Sequence, residues 1–139
     1  MGAPYYGAYA ASAAMADGSK IVMLDPGTTN YATYIIYATT GEPLRAVLIN
    51  TDFYSGTPPR GSQVFTLSGF TTTEVKAKRL TAAQSTSRVD QGSPPTFGGQ
   101  QFENGSCVKT GTEVYETTTV SDGGAIFTVN ASEALVVYF

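Results

Sequence analysis

The chain has 139 residues, one cysteine and a formal net charge of −3, and only 14% of its residues are charged. A single domain of this size buries about two thirds of its unfolded surface, so it needs no disulfide or metal to fold. With no histidine and no tryptophan, the chain excludes imidazole metal sites and Ser-His-Asp or Cys-His catalysis. Lys76, Lys78 and Arg79 are the only basic cluster, too small for the phosphate neutralisation that nucleic-acid binding needs.

In chain order, residues 4–16 are predicted as the one helix. Pro4 suits a first helical turn, alanines dominate, and Asp17-Gly18 supplies a stop. Tyr5, Tyr9 and Ser12 share one face, with Tyr6, Ala10 and Ala13 beside them. A helix without charge needs apolar partners on most sides, either on the chain's own sheet or on a neighbouring domain. Residues 1–16 lack the basic start and continuous apolar centre of a secretion signal, and are too short to span a membrane. The sequence therefore reads as starting after any signal, or as cut from something larger.

Residues 20–25 form a first short strand, closed by Pro26-Gly27. Residues 31–39 and 44–50 form a hairpin around Gly41 and Pro43. In its first strand Tyr31, Ile35 and Tyr37 alternate with Ala32, Tyr34 and Ile36, so both faces are apolar, as in a strand covered on two sides. Residues 51–61 are a Gly- and Pro-rich loop, and 62–68 another strand. In the strand 74–81, Lys76 and Lys78 alternate with Val75 and Ala77, which predicts one wet and one dry face and a lysine-protected sheet edge. Residues 82–101 read as a long unstructured loop. Strands 112–120 and 125–130 are joined by a tight hairpin turn at Asp122-Gly123-Gly124, and after a break at 131–133 residues 134–139 form a buried last strand. The expected fold is all-β: an antiparallel β-sandwich of about eight strands (residues 18–139) preceded by one short helical segment (1–17).

Little in this pattern carries chemistry. Glu113 and Glu116 are placed on opposite faces of one strand, and the aspartates sit in turns, so no carboxylate pair suggests a catalytic dyad. No phosphate-binding loop and no dense metal-ligating run occur, so no cofactor and no metal are expected. Cys107 reads as a buried thiol, the alternative being a pair with a cysteine outside these residues. Asn104-Gly105-Ser106 and Asn130-Ala131-Ser132 are N-glycosylation sequons, which with the Thr- and Ser-rich composition point to a secreted glycoprotein. Phe53, Tyr54 and Phe97 are the loop aromatics that could stack on a sugar, although plugging the end of the core is the plainer role.

Five stretches come in a telling order: Pro4-Tyr5-Tyr6-Gly7 before a small-residue helix, Leu48-Ile49-Asn50, residues 75–81, Phe97-Gly98-Gly99-Gln100-Gln101-Phe102, and residues 131–137. Their order and spacing resemble the C-terminal β-domain of family 79 glycoside hydrolases, the β-glucuronidase and heparanase-like enzymes, and look closest to fungal members. The resemblance implies a preceding (β/α)8 barrel that holds the catalytic glutamates, none of which can be carried onto these residues. The chain itself is therefore expected to be non-catalytic. It also implies that residues 4–16 are the tail of that barrel, that residues 82–101 lie against it, and that a strand from before the barrel completes the β-domain. The expected role is an extracellular accessory domain that buttresses the barrel. The alternatives are a carbohydrate-binding module with a glycan partner, and a subunit that self-associates through its N-terminal helix or a sheet edge. Neither a nucleic acid nor a membrane is expected as a partner.

Overall fold

The computed structural model describes residues 3–139. Its single helix, α1 (Ala3–Met15), ends where Asp17, not a glycine, takes up the left-handed conformation (φ 58°) and the Gly18 N–H returns to the Met15 carbonyl at 2.8 Å. Gly18 serves a different need: a side chain there would meet the Ile36 Cγ2 atom at 2.4 Å, so only glycine lets the chain pass this close to the sheet.

Eight strands of four or more residues follow, at β1 (Lys20–Met23), β2 (Tyr31–Tyr37), β3 (Pro43–Asn50), β4 (Ser62–Ser68), β5 (Glu74–Thr81), β9 (Glu116–Thr119), β10 (Gly124–Asn130) and β11 (Glu133–Tyr138). Three two-residue strands lie between them: β6 (Thr96–Phe97), β7 (Gln101–Phe102) and β8 (Lys109–Thr110). All described pairings are antiparallel. A seven-stranded sheet runs β1-β2-β3-β11-β5-β6, with β9 also pairing β5, and two-stranded sheets form from β4 with β10 and from β7 with β8. The central β2–β3 hairpin is as expected, with Tyr34 opposite Val47 and Ile35 opposite Ala46.

The two faces of the large sheet are covered by different elements. On the inner face Ile35, Ala46, Leu48, Val75, Ala77, Leu135 and Val137 pack against Leu67, Ala125, Phe127 and Val129 of β4 and β10. On the outer face Ile36, Val136 and Phe97 pack against Ala10 and Ala14 of α1. Alanines on the helix let its backbone lie close to the strands, and Tyr6 is wedged at its start. The helix thus docks on the chain's own sheet, and its buried line is Tyr6, Ala10 and Ala14.

Several local expectations are corrected. Strand β5 is not an edge, for β11 lies on one side and β6 and β9 on the other. Lys78 is accordingly 9% exposed, its ammonium paired with Glu113 and set over the Phe97 and Tyr115 rings. The expected strand 112–120 shrinks to Glu116–Thr119, because residues 112–115 follow the left-handed Gly98-Gly99 turn: Val114 N–H bonds to Gly98 O at 2.8 Å. The Asp122-Gly123 turn is the tight hairpin turn expected, with φ of 52° and 72° and paired N–H to O bonds between Ser121 and Gly124 at 2.8 and 2.9 Å, and beyond it the chain passes from the large sheet into the facing pair. The stretch 82–101 holds a 3-10 turn (Val89–Gln91) and strand β6. Glu133, placed in a break, begins β11. Cys107 is exposed, at φ 60° in the turn between β7 and β8, because the two-residue strands of that hairpin enclose no interior for it.

Candidate functional site

Two glutamates that sequence spacing keeps apart meet at one arginine. Arg79, on the inner side of β5, donates from Nε and Nη2 to both oxygens of Glu116 at 2.6 and 2.7 Å, and from Nη1 to Glu133 at 2.6 Å. Glu133 also accepts from Thr81 Oγ1 at 2.6 Å and from Asn130 Nδ2 at 3.1 Å, and lies 3.3 Å from Arg60 Nη1. Arg60 in turn donates to the carbonyls of Ala131 and Ala82 and stacks on Tyr54. The convergence needed β9 beside β5, which sets Glu116 opposite Ala77, and β11 on its other side.

Electrostatics assigns this cluster a structural task. Burial by itself pushes the Glu133 carboxyl up, but hydrogen bonds from Thr81 and Arg79, with the charges of Arg79 and Arg60, outweigh it and hold the group below the usual range. A glycosidase acid needs the opposite, a carboxyl kept protonated beside an open cleft. Glu133 is only 5% exposed. The network therefore knits the β10–β11 turn to β5 and to the loop before β4. Among the described residues no group of three or more acidic or cysteine side chains could hold a metal, and no helix is long and apolar enough to cross a membrane.

The three sugar-contact candidates are scattered. Phe53 is 71% exposed, Tyr54 is half-buried beneath Arg60, and Phe97 is 2% exposed. Phe97 is thus corrected from loop aromatic to core residue: Tyr9 meets it edge-on and Lys78 covers it, which leaves no ring face open. The sequons separate as well. Asn104 is exposed in the β7–β8 turn, whereas Asn130 ends β10 within the Glu133 network.

What remains is a surface. Beyond α1 the outer face continues as an open apolar strip: Ile21 and Met23 on β1 are 52% and 49% exposed, and stand opposite Ile36 and Tyr34. At the far end of the strands Ile49, Leu80 and Ala134 floor a groove of about 340 Å³, rimmed by Thr51, Gln84, Ser85 and Ser132. The helix is pinned beside this strip by side chains that sequence reading missed. The Phe102 N–H donates to Tyr6 Oη at 2.9 Å, and Arg45, resting on Tyr138, donates to the Ala14 and Ala16 carbonyls at the C-terminal end of α1.

The described residues thus form an antiparallel all-β domain with a buried ionic tie, a half-exposed apolar flank and a helix clipped to that flank. Residues 30–136 match the family model described as the glycosyl hydrolase family 79 C-terminal beta domain, and the chain belongs to that family. Its structure is similar to that of a 4-O-alpha-L-rhamnosyl-beta-D-glucuronidase from Fusarium oxysporum 12S, solved as a Rha-GlcA complex, with a TM-score of 0.96 and 53% identity. That similarity covers 100% of this chain and 30% of the enzyme's. No curated protein matches the chain.

Proposed function

We propose that this chain is the non-catalytic accessory domain of a secreted, fungal-type glycoside hydrolase acting on glucuronide-containing glycans, and that its outer face docks on the catalytic (β/α)8 barrel. One observation carries the reading: the outer face is an apolar strip left half-covered, in a family whose solved relative has 70% of its chain outside this domain (100% − 30%). Apolar residues such as Ile21 and Met23, about half exposed here, lose most of their contact with water once a barrel wall lies on them. Helix α1, clipped to the sheet by Tyr6 and Arg45, reads as the tail of that barrel.

The test uses the parent enzyme with the paired change Ile21→Asp, Met23→Asp. Desolvating two carboxylates at a docked interface is costly, so the variant is expected to lose thermal stability and glucuronidase activity together, while the domain expressed alone unfolds as before. Unchanged parent activity and stability would overturn the docking reading. Saturable binding of glucuronide oligosaccharides to the isolated domain, abolished by Phe53→Ala, would instead favour a carbohydrate-binding module. Mass that rises with concentration and ignores the barrel would favour self-association.

A further inference from the structure

The two sequons have the same sequence logic and opposite structural settings, and from that contrast we infer that Asn104, and not Asn130, carries an N-linked glycan when the chain passes through a eukaryotic secretory pathway. Asn104 lies in the turn between β7 and β8, where residues 103–107 are all exposed. Gly105 at φ 91° folds the turn tightly, and the Ser106 hydroxyl, which a transferase must reach, stands at the surface on Glu103. The hairpin is anchored at its base by Phe102, 7% exposed and ringed by Tyr5, Tyr6 and Tyr9, so its tip projects without any core depending on it. An attached sugar there projects from an exposed turn.

Asn130 is the reverse case. Its Nδ2 donates to Glu133 Oε2 at 3.1 Å and its backbone N–H reaches the same oxygen at 3.3 Å. Ala131 is 4% exposed. Ser132 takes φ 61°, and its hydroxyl donates to the Asp52 carbonyl at 2.7 Å while meeting Ser85 Oγ. A glycan on Asn130 would take a donor from the buried Glu133 carboxylate, beside the packed Ala131 of the β10–β11 turn.

In the modification, the Asn104 amide nitrogen attacks the anomeric carbon of a lipid-pyrophosphate-linked oligosaccharide. The new N–C bond forms as the carbon–oxygen bond to pyrophosphate breaks; the lipid pyrophosphate leaves with the electron pair, and the amide proton passes to a base of the transferase. No oxidation is involved.

The experiment is site mapping on the parent polypeptide secreted from a yeast, deglycosylated with an amidase in heavy-oxygen water and digested for mass spectrometry. The expected result is heavy-oxygen aspartate at position 104 and unmodified asparagine at 130, with a one-glycan mobility loss in Asn104→Gln and none in Asn130→Gln. Unmodified Asn104, or a tag at Asn130, overturns the inference. The mapping uses the unaltered sequence, so a variant that fails to be secreted leaves the answer intact.

Discussion

The two faces of the seven-stranded sheet are built from the same strands and finished differently. The inner face is covered by β4 and β10, whose Leu67, Phe127 and Val129 fit between Leu48, Leu135 and Val137, with the Arg79 network closing one end and a cleft of about 660 Å³ beside Ile35, Leu67, Phe70 and Phe139 at the other. The outer face has one alanine-rich helix over its middle, leaving Ile21 and Met23 on one side and the Ile49, Leu80 and Ala134 groove on another. The inner face holds the two sheets together, whereas the outer face leaves Ile21 and Met23 about half exposed to water. The difference lies in the outward neighbours of each strand, not in strand hydrophobicity, since residues such as Ile35 and Ile36 are adjacent and equally apolar.

That contrast is open to attack from its strongest side down. Glu133→Ala, which strands Arg79 and Arg60 without their shared carboxylate, is expected to cost about 3–5 kcal/mol in denaturant unfolding, the range for breaking a buried pair. Its pH dependence has a definite sign. The folded carboxyl titrates below its unfolded value, so its contribution is complete above the ordinary carboxylate range and lost as pH falls through the lower folded value. Glu133→Gln is therefore expected to flatten the acid limb of the stability profile; an unchanged acid limb would remove the network from the account. Leu48→Ala, on the inner face and fully buried, is expected to cost about 2–5 kcal/mol and to lower every probe of unfolding together.

Effects on the outer face are smaller and local. Tyr6→Phe leaves the buried Phe102 N–H without its acceptor, a loss of about 1–3 kcal/mol. Hydrogen exchange is expected to quicken in α1, β7 and β8 while β3 and β11 keep their protection; uniform quickening would mean the helix is integral to the whole core. Smallest of all, Ile21→Asp in the isolated domain is expected to stay within about 0.5 kcal/mol, as exposed positions do. A larger loss would show that β1's outer side already has an intramolecular partner.

Much of this was legible in the sequence, because periodicity and turn chemistry act over a few residues. The alternating apolar run 31–37, the Gly41-Pro43 turn, the alanine helix and the Asp122-Gly123 turn each specify a local conformation from their own residues. Even the family resemblance rested on short stretches in order, and the match over residues 30–136 agrees with it. Only the tertiary structure decided which strands flank β5, and three readings turned on that. Lys78 became a buried partner of Glu113, Phe97 became core, and Glu116 with Glu133 became one ion network across sequence separations of 37 and 54 residues. Alternation can tell which side chains share a face, but the cost of burying a charge is settled by neighbours that arrive from distant parts of the chain. Local sequence thus determined the elements, and the order in which they meet determined what each charged or aromatic side chain could do.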